Sequence, residues 1–158
     1  MKNEIMTLIL GAMPISEVRG AIPMAMLVFG FSAMKAFALG VLGNILPIIP
    51  TLFFLEKFSE YLMYKWYWFN RLMSWLFERT QRKHMDHFHQ WQWSWVALFI
   101  FVAIPLPMTG AWSGIIAAHV LGIPFWRSVL AIALGVAVAG GVVTILTSLG
   151  FLAAKSIL

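Results

Sequence analysis

Charged residues are so sparse in this chain that one tract, from Gln90 to Trp126, runs 37 residues without Asp, Glu, Lys or Arg. Two further tracts, 36–55 and 128–154, are also free of these residues. A helix rises ~1.5 Å per residue, so roughly 20 apolar residues are needed to cross the ~30 Å hydrocarbon core of a bilayer. The second and third tracts therefore predict membrane-spanning helices over 36–55 and 128–154.

The composition excludes most other classes of protein. The chain is 61% hydrophobic and 11% charged, with a mean hydropathy of +0.86, whereas soluble domains are about 45–50% apolar and about 25% charged. Cysteine is absent from the sequence, which excludes disulfides and thiolate metal sites. The excess of basic residues does not indicate a nucleic-acid partner, because acidic residues are interleaved with them. We expect a single membrane domain over 1–158, without a cofactor.

Two apolar regions are each interrupted by a break in the helical pattern. Proline removes a backbone donor and clashes with the preceding turn. Irregular backbone at membrane depth is tolerated only where protein or a water-filled cavity satisfies its polar groups. The first break includes Pro14, Gly20 and Pro23, and the second includes Pro105, Pro107, Thr109, Gly110, Ser113 and Gly114.

The two breaks occupy corresponding positions in two halves of the chain. Residues 12–14 align with 103–105, Gly30 with Gly122, and Lys35 with Arg127. The uncharged flanks of the first break are only 12 and 15 residues long, which favours segments that enter and leave on one side. Each half then crosses once, and the halves are inverted. If each broken segment instead crosses fully with a kink, the halves are parallel.

The predicted fold is an all-α integral membrane protein with two inverted repeats. Each repeat is a re-entrant helical hairpin followed by a transmembrane helix, over 5–55 and 96–155. The segment 56–95 joins them as an amphipathic interfacial helix. It holds six of the eleven Lys and Arg residues, which places it on the cytoplasmic face of a multi-pass inner (plasma) membrane protein. The histidines of 84–89 have no spacing typical of a closed metal site, so we predict no metal.

The best candidates for function are ionisable residues within the membrane segments. Glu17 and Arg19 lie in the first break, where a charge costs ~2.5–3.5 kcal/mol and needs a partner or water. They form either an internal pair that fixes the loop or a proton-binding carboxylate beside an anion-binding cation. His119 is a candidate proton relay or a packing residue. Arg127 either anchors the last span at the headgroups or lies on the substrate path.

The motifs at residues 14–23 and 105–114 resemble those of the small multidrug export protein family. The similarity covers nearly the whole chain. That family is related to the DedA (VTT-domain, SNARE-associated) membrane proteins. The resemblance implies two re-entrant hairpins that meet from opposite sides, and proton-dependent transport or movement of lipids between leaflets. It also implies that Glu17 matches the acidic residue of the DedA hairpin and Arg127 the basic residue after the second hairpin. Thr109 departs from the pattern, because a basic residue is common there.

Three functions follow from these residues. The first is a transporter, in which Glu17 carries a coupling proton and Arg19 holds an anionic or amphipathic substrate. The second is a lipid flippase or scramblase, which passes a phosphate headgroup of a phospholipid or polyprenyl phosphate through the same cavity. The third is a membrane assembly factor that transports nothing. We do not expect an enzyme, because the sequence offers no nucleophile–base pair and no metal cluster. Membrane lipids and a second copy of the chain, as a homodimer, are the expected partners.

Overall fold

A computed structural model describes residues 1–65, 94–106 and 109–157. Most of the predicted interfacial helix, the histidines of 84–89 and Pro107 lie outside the described residues. The described part contains helices and no strand, which confirms the all-α prediction there. The helices are α1 (Lys2–Ala12), α2 (Glu17–Leu27), α3 (Ala33–Ile45), α4 (Ile48–Lys65), α5 (Ser94–Ala103), α6 (Ala111–Val120) and α7 (Phe125–Ile157).

Two helical stretches are long and apolar enough to cross a membrane. One runs over Ala33–Lys57, through α3 and the first part of α4, and the other over Phe125–Ala153 in α7. A turn at 46–47 separates α3 from α4. The other four helices have only 10 or 11 residues each. At ~1.5 Å per residue they reach about half the thickness of a bilayer core, which is the length that re-entrant hairpins require.

A glycine turn follows each pair of short helices. Gly30 lies between α2 and α3 with φ +68°, and Gly122 lies between α6 and α7 with φ +65°. Glycine adopts this left-handed backbone without the steric cost that a Cβ atom brings. The order of elements is therefore the same in both halves: short helix, break, short helix, glycine turn, long helix. We call each pair of short helices with its break a hairpin, 2–27 being the first and 94–120 the second.

Glycines also set the packing of each long helix against the first short helix of its half. A Cβ atom on Gly43 of α3 would collide with the backbone of Leu8 in α1. A Cβ atom on Gly135 of α7 would come within 2.8 Å of Val102 Cβ and 3.0 Å of the Phe99 carbonyl oxygen in α5. In the alignment of 12–14 with 103–105, Leu8 corresponds to Phe99. The same close approach therefore occurs at matching positions, while the inverted orientation of the halves stays a prediction.

The centre of the molecule lies where α2 packs between α3 and α7. Ile22 of α2 is fully buried there. A Cβ atom on Gly40 of α3 would approach Ile22 to 2.7 Å, and one on Gly140 of α7 would approach it to 3.5 Å. Small residues on both long helices thus make room for α2. This packing holds the first turn of α2, where Glu17 lies, close to the first turn of α6.

Candidate functional site

Glu17 begins α2 in a backbone conformation that its residue type rarely adopts. Its φ is +45°, the one positive value among the described residues other than glycine. The left-handed region costs an L-residue roughly 1–2 kcal/mol. The residue is also 97% buried, with a relative exposure of 3%. Surrounding contacts must therefore hold this carboxylate in place, and strained backbone of this kind is concentrated at functional sites.

Arg19 joins the carboxylate to the second break. Its Nη2 atom lies 2.8 Å from Glu17 Oε2 and donates a second hydrogen bond to the backbone carbonyl of Thr109 at 2.7 Å. The Arg19 side chain is 26% exposed, whereas the Glu17 side chain is 4% exposed. The ion pair is therefore buried at its acidic end and open at its basic end. Charge-assisted hydrogen bonds of this kind are about twice as strong as neutral ones.

The carboxylate occupies the N-terminus of α6. Glu17 Oε1 lies 3.4 Å from the backbone nitrogen of Trp112, the second residue of that helix. Gly110 precedes the helix, and a Cβ atom on it would overlap the Glu17 carboxylate. An N-cap side chain normally accepts a hydrogen bond from the second or third residue of its helix. Here that acceptor comes from the other hairpin, in the space that glycine leaves.

Trp112 makes a second link between the two hairpins. Its indole Nε1 donates a hydrogen bond of 3.1 Å to the carbonyl oxygen of Ala12, the last residue of α1. The final carbonyls of a helix have no partner within the helix. The indole therefore satisfies one end of α1 while the Trp112 backbone faces Glu17. Together with the Arg19–Thr109 bond, these contacts tie the two breaks to each other.

An open cleft of about 630 Å³ lies over this junction. Glu17, Arg19 and the serines provide its polar surface, and isoleucine, proline and tryptophan provide its apolar surface. A cleft of this size and mixed character is typical of a small-molecule site. It is lined by Pro14, Ile15, Ser16, Glu17, Arg19, Gly20, Trp112, Ser113 and Ile116.

Arg19 has unused hydrogen-bonding capacity in this cleft. Both of its hydrogen bonds come from Nη2, so Nη1 and Nε have no acceptor among the described residues. A guanidinium has five N–H donors in a planar fork that matches carboxylate or phosphate. Glu17 neutralises the charge of the pair without occupying that fork. The cleft can therefore bind an anionic group at Arg19 and apolar parts of the same molecule beside Ile15 and Ile116.

The structure brings together some of the predicted site residues. Glu17 and Arg19 meet in the cleft, and Gly110 lies against Glu17. Thr109 contributes its carbonyl only, since its hydroxyl is bonded within its own loop, 2.6 Å from the Ile104 carbonyl oxygen. Pro14, Gly20 and Ser113 line the cleft.

The other predicted residues lie elsewhere. Arg127 lines a separate, much smaller pocket beside Trp95. His119 is in the last turn of α6, at the opposite end of that helix from Glu17. Gly114 packs against Val102 and Ile132. Pro23 is inside α2, and Pro105 lies in the second break outside the cleft lining.

Sequence reasoning missed Ile15, Ser16 and Ile116 of the cleft lining and the role of the Ala12 carbonyl. Ile116 is four residues after Trp112, so helical spacing places both on one face of α6. That signal could have identified it. Ser16 is adjacent to Glu17, but its hydroxyl contacts the Leu10 carbonyl, and nothing in the sequence predicts this contact.

Two apolar helical stretches long enough to cross a membrane, together with short apolar helices, indicate a helical integral membrane protein. A family model described as "Putative small multi-drug export protein" matches residues 17–142. The chain belongs to this small multi-drug export protein family. An export family is one of transporters rather than enzymes. No curated protein and no solved structure matches the chain.

The comparison confirms the predicted family and leaves other expectations untested. The match begins at Glu17 and includes Arg19, the second break and the first part of α7. The relation to DedA proteins stays a prediction, as does the homodimer. The roles of Glu17, Arg19, His119 and Arg127 likewise stay predictions.

Proposed function

We propose that the chain is a proton-coupled transporter whose substrate site is the cleft between the two hairpin breaks. The observation that carries this proposal is the Glu17–Arg19 pair, buried at its carboxylate and open to the cleft at its guanidinium. A charge within a membrane segment is costly, so charges that are found there are usually paired and serve a function. We further propose an inner-membrane location with the 56–95 segment on the cytoplasmic face.

Glu17 is the proton carrier in this proposal. When its carboxylate takes a proton, its attraction to Arg19 and to the positive end of α6 weakens. Arg19 then has a full positive charge without a partner within the pair. Proton binding at Glu17 and anion binding at Arg19 therefore favour each other, so the proton and the anion move through the cleft in the same direction.

The substrate class follows from the lining of the cleft. One negatively charged group binds the free edge of the Arg19 guanidinium, and an apolar body packs on Trp112, Ile15 and Ile116. Ser16 and Ser113 offer hydroxyl groups between these two regions. An amphipathic anion fits this arrangement, and a strongly hydrated ion without an apolar part does not.

Proteoliposomes loaded with carboxyfluorescein test this proposal. With the vesicle interior more acidic than the bath, we expect the wild-type chain to release carboxyfluorescein together with protons. A second, pH-sensitive dye in the bath reports the released protons. Glu17→Gln should lower both fluxes at least tenfold. Arg19→Lys, which keeps the charge but loses the planar fork, should weaken dye binding more than proton movement. Glu4→Gln is the matched control, because Glu4 is a carboxylate outside the cleft.

Unchanged proton-linked flux in Glu17→Gln, with normal folding by circular dichroism, would rule out the carrier role. Equal losses in Glu17→Gln and Glu4→Gln would show that general charge, rather than the cleft, controls the flux. The absence of dye and proton flux from the well-folded wild-type chain would favour an assembly factor instead.

A lipid flippase or scramblase is the second candidate. The observation that favours it is Ile15, which borders the cleft and is 97% exposed, so the cleft has an apolar edge at which acyl chains could remain. Leaflet exchange of fluorescent phosphatidylglycerol in proteoliposomes, read by dithionite quenching, distinguishes the two. Exchange without a pH gradient and without dye release would favour the flippase.

A further inference from the structure

Each half of the molecule has a corner where its first short helix begins beside the start of its long helix. In the first half this corner holds an ion pair, in which Lys35 Nζ lies 2.6 Å from Glu4 Oε1. The same ammonium lies 4.5 Å from the centre of the Phe31 ring. Hydrogen bonding from Lys35 lowers the pKa of Glu4 below its usual value. The basic residue of this corner is therefore neutralised within the chain.

The basic residue of the second corner has no acidic partner in the part of the chain that the structure describes. Arg127 aligns with Lys35, but the position that aligns with Glu4 is Trp95. Arg127 is exposed, and no carboxylate of the described residues pairs with it. Trp95 is 40% exposed beside it. Together they line a pocket of about 10 Å³ with the Gly122 turn.

The second corner lies at the edge of a membrane span. Phe125 begins the span of α7, two residues before Arg127, and Trp126 is 69% exposed next to it. Tryptophan is enriched at membrane interfaces, and arginine there extends its charge to the headgroups. In the predicted topology this corner faces the cytoplasmic leaflet. That leaflet carries anionic lipids, which attract basic groups near its surface.

We propose that Arg127 and Trp95 bind the headgroup phosphate of an anionic phospholipid. The guanidinium donates to the phosphate oxygens, and the indole packs beside the glycerol region. A pocket of about 10 Å³ holds roughly one water-sized atom, so one phosphate oxygen enters it and the rest of the headgroup stays on the exposed surface. This lipid site is separate from the cleft and does not depend on the transport activity.

The test is a titration of the detergent-solubilised full chain with dioctanoyl phosphatidylglycerol, followed by microscale thermophoresis. All variants carry Arg19→Gln, which removes the anion-binding donors of the cleft. Arg127→Gln should weaken phosphatidylglycerol binding at least tenfold. Lys35→Gln, its matched control, should leave binding unchanged. Trp95→Glu should also weaken binding, because it recreates in the second half the ion pair of the first.

A variant that gains a binding site is a check that misfolding does not produce, because a misfolded chain would lose binding. Glu4→Gln frees Lys35, so it should add a second, weaker site for phosphatidylglycerol. Unchanged affinity in Arg127→Gln, or saturable binding that phosphatidylcholine matches, would overturn the proposal. Inorganic phosphate that competes as well as the lipid does would overturn the assignment to a lipid. A Glu4→Gln chain with no added site would contradict the pairing argument.

Discussion

The two hairpins share their architecture but not their chemistry. In both, short helices flank a break, a glycine turn follows, and a glycine of the long helix packs on the first short helix. The first hairpin supplies both charged side chains of the cleft, Glu17 and Arg19. The second supplies backbone groups, the Thr109 carbonyl and the Trp112 N–H. The asymmetry shows that packing is repeated while the site is built once, across the junction.

The difference also shows in Gly110 and in Gly20, which occupies the matching position of the first break. A Cβ atom on Gly20 would meet the Ser16 side chain of its own break, and not a carboxylate of the other break. The carboxylate of one hairpin fills the space beside the helix N-terminus of the other. A side chain on Gly110 would occupy the same space. Two copies of one hairpin could not form this arrangement. Both copies would supply the carboxylate, or both would supply the helix N-terminus that receives it.

The shared packing is the feature whose loss should cost most. In Gly43→Ala the new methyl group collides with the backbone of Leu8, which cannot rotate away. Overpacking typically costs 1–3 kcal/mol, and we expect about 3 kcal/mol here. Gly135→Ala should cost less, because its closest contact, Val102 Cβ at 2.8 Å, is less severe than the overlap at Gly43. Unfolding in mixed detergent micelles measures both.

Gly141→Ala is the control for this pair, since a Cβ atom there meets nothing within 4 Å. We expect a change within about 0.5 kcal/mol. A Gly43→Ala chain as stable as Gly141→Ala would show that α1 and α3 do not pack as closely as described.

Gly110→Ala should have the next largest effect and should act on the site itself. The methyl group displaces the Glu17 carboxylate from the end of α6, at a cost of about 2 kcal/mol. Proton-linked flux should fall at least tenfold. If unfolding shows the stability loss but flux stays normal, the contact between Glu17 and α6 is structural only.

Replacing Asn44 should raise the stability of the chain, whereas the glycine substitutions lower it. It is fully buried, and neither polar atom of its side chain has a hydrogen-bond partner in the described part of the chain. Its aligned position in the second half is Val136, which is also buried. Asn44→Val should therefore stabilise the chain by about 1 kcal/mol, because an unsatisfied buried amide costs ~1–3 kcal/mol. Lower stability in this variant would indicate a partner that the described contacts lack.

The smallest effect should come from the exposed pair at the first corner. The lowered pKa of Glu4 means that the pair stabilises the chain above the pKa that Glu4 has when unfolded. This contribution is lost as the pH falls through the lower, folded-state pKa. Surface pairs contribute little, so Glu4→Gln should barely change stability at pH 7 and should reduce its dependence on acidic pH. A large loss at neutral pH would contradict this.

Much of the fold could be predicted from the distribution of charges and prolines. The uncharged tract 36–55 lies within the span Ala33–Lys57, the tract 128–154 lies within α7, and each break lies between short helices. Hydrophobic length and proline act locally, so a sequence shows them directly. Glu17 and Arg19 can be identified for the same reason, because they are charged residues within an otherwise apolar segment.

The geometry of the site depended on contacts between distant parts of the chain. The Arg19–Thr109 bond joins residues 90 positions apart, and the indole bond of Trp112 spans 100. Side-chain type did not indicate the first contact, because the acceptor is a backbone carbonyl. Arg127 and His119 were grouped with Glu17 by chemistry, but the lengths of α6 and α7 place them elsewhere.

We propose that the two hairpins enter the membrane from opposite faces and meet at the cleft. Because the chain has no cysteine, single cysteines at Asn3, Phe29, Ser94 and Leu121 can be labelled with a membrane-impermeant maleimide in sealed, oriented vesicles. We predict that positions 3 and 29 react from one side and positions 94 and 121 from the other. Labelling of positions 3 and 29 from opposite sides would contradict the re-entrant account.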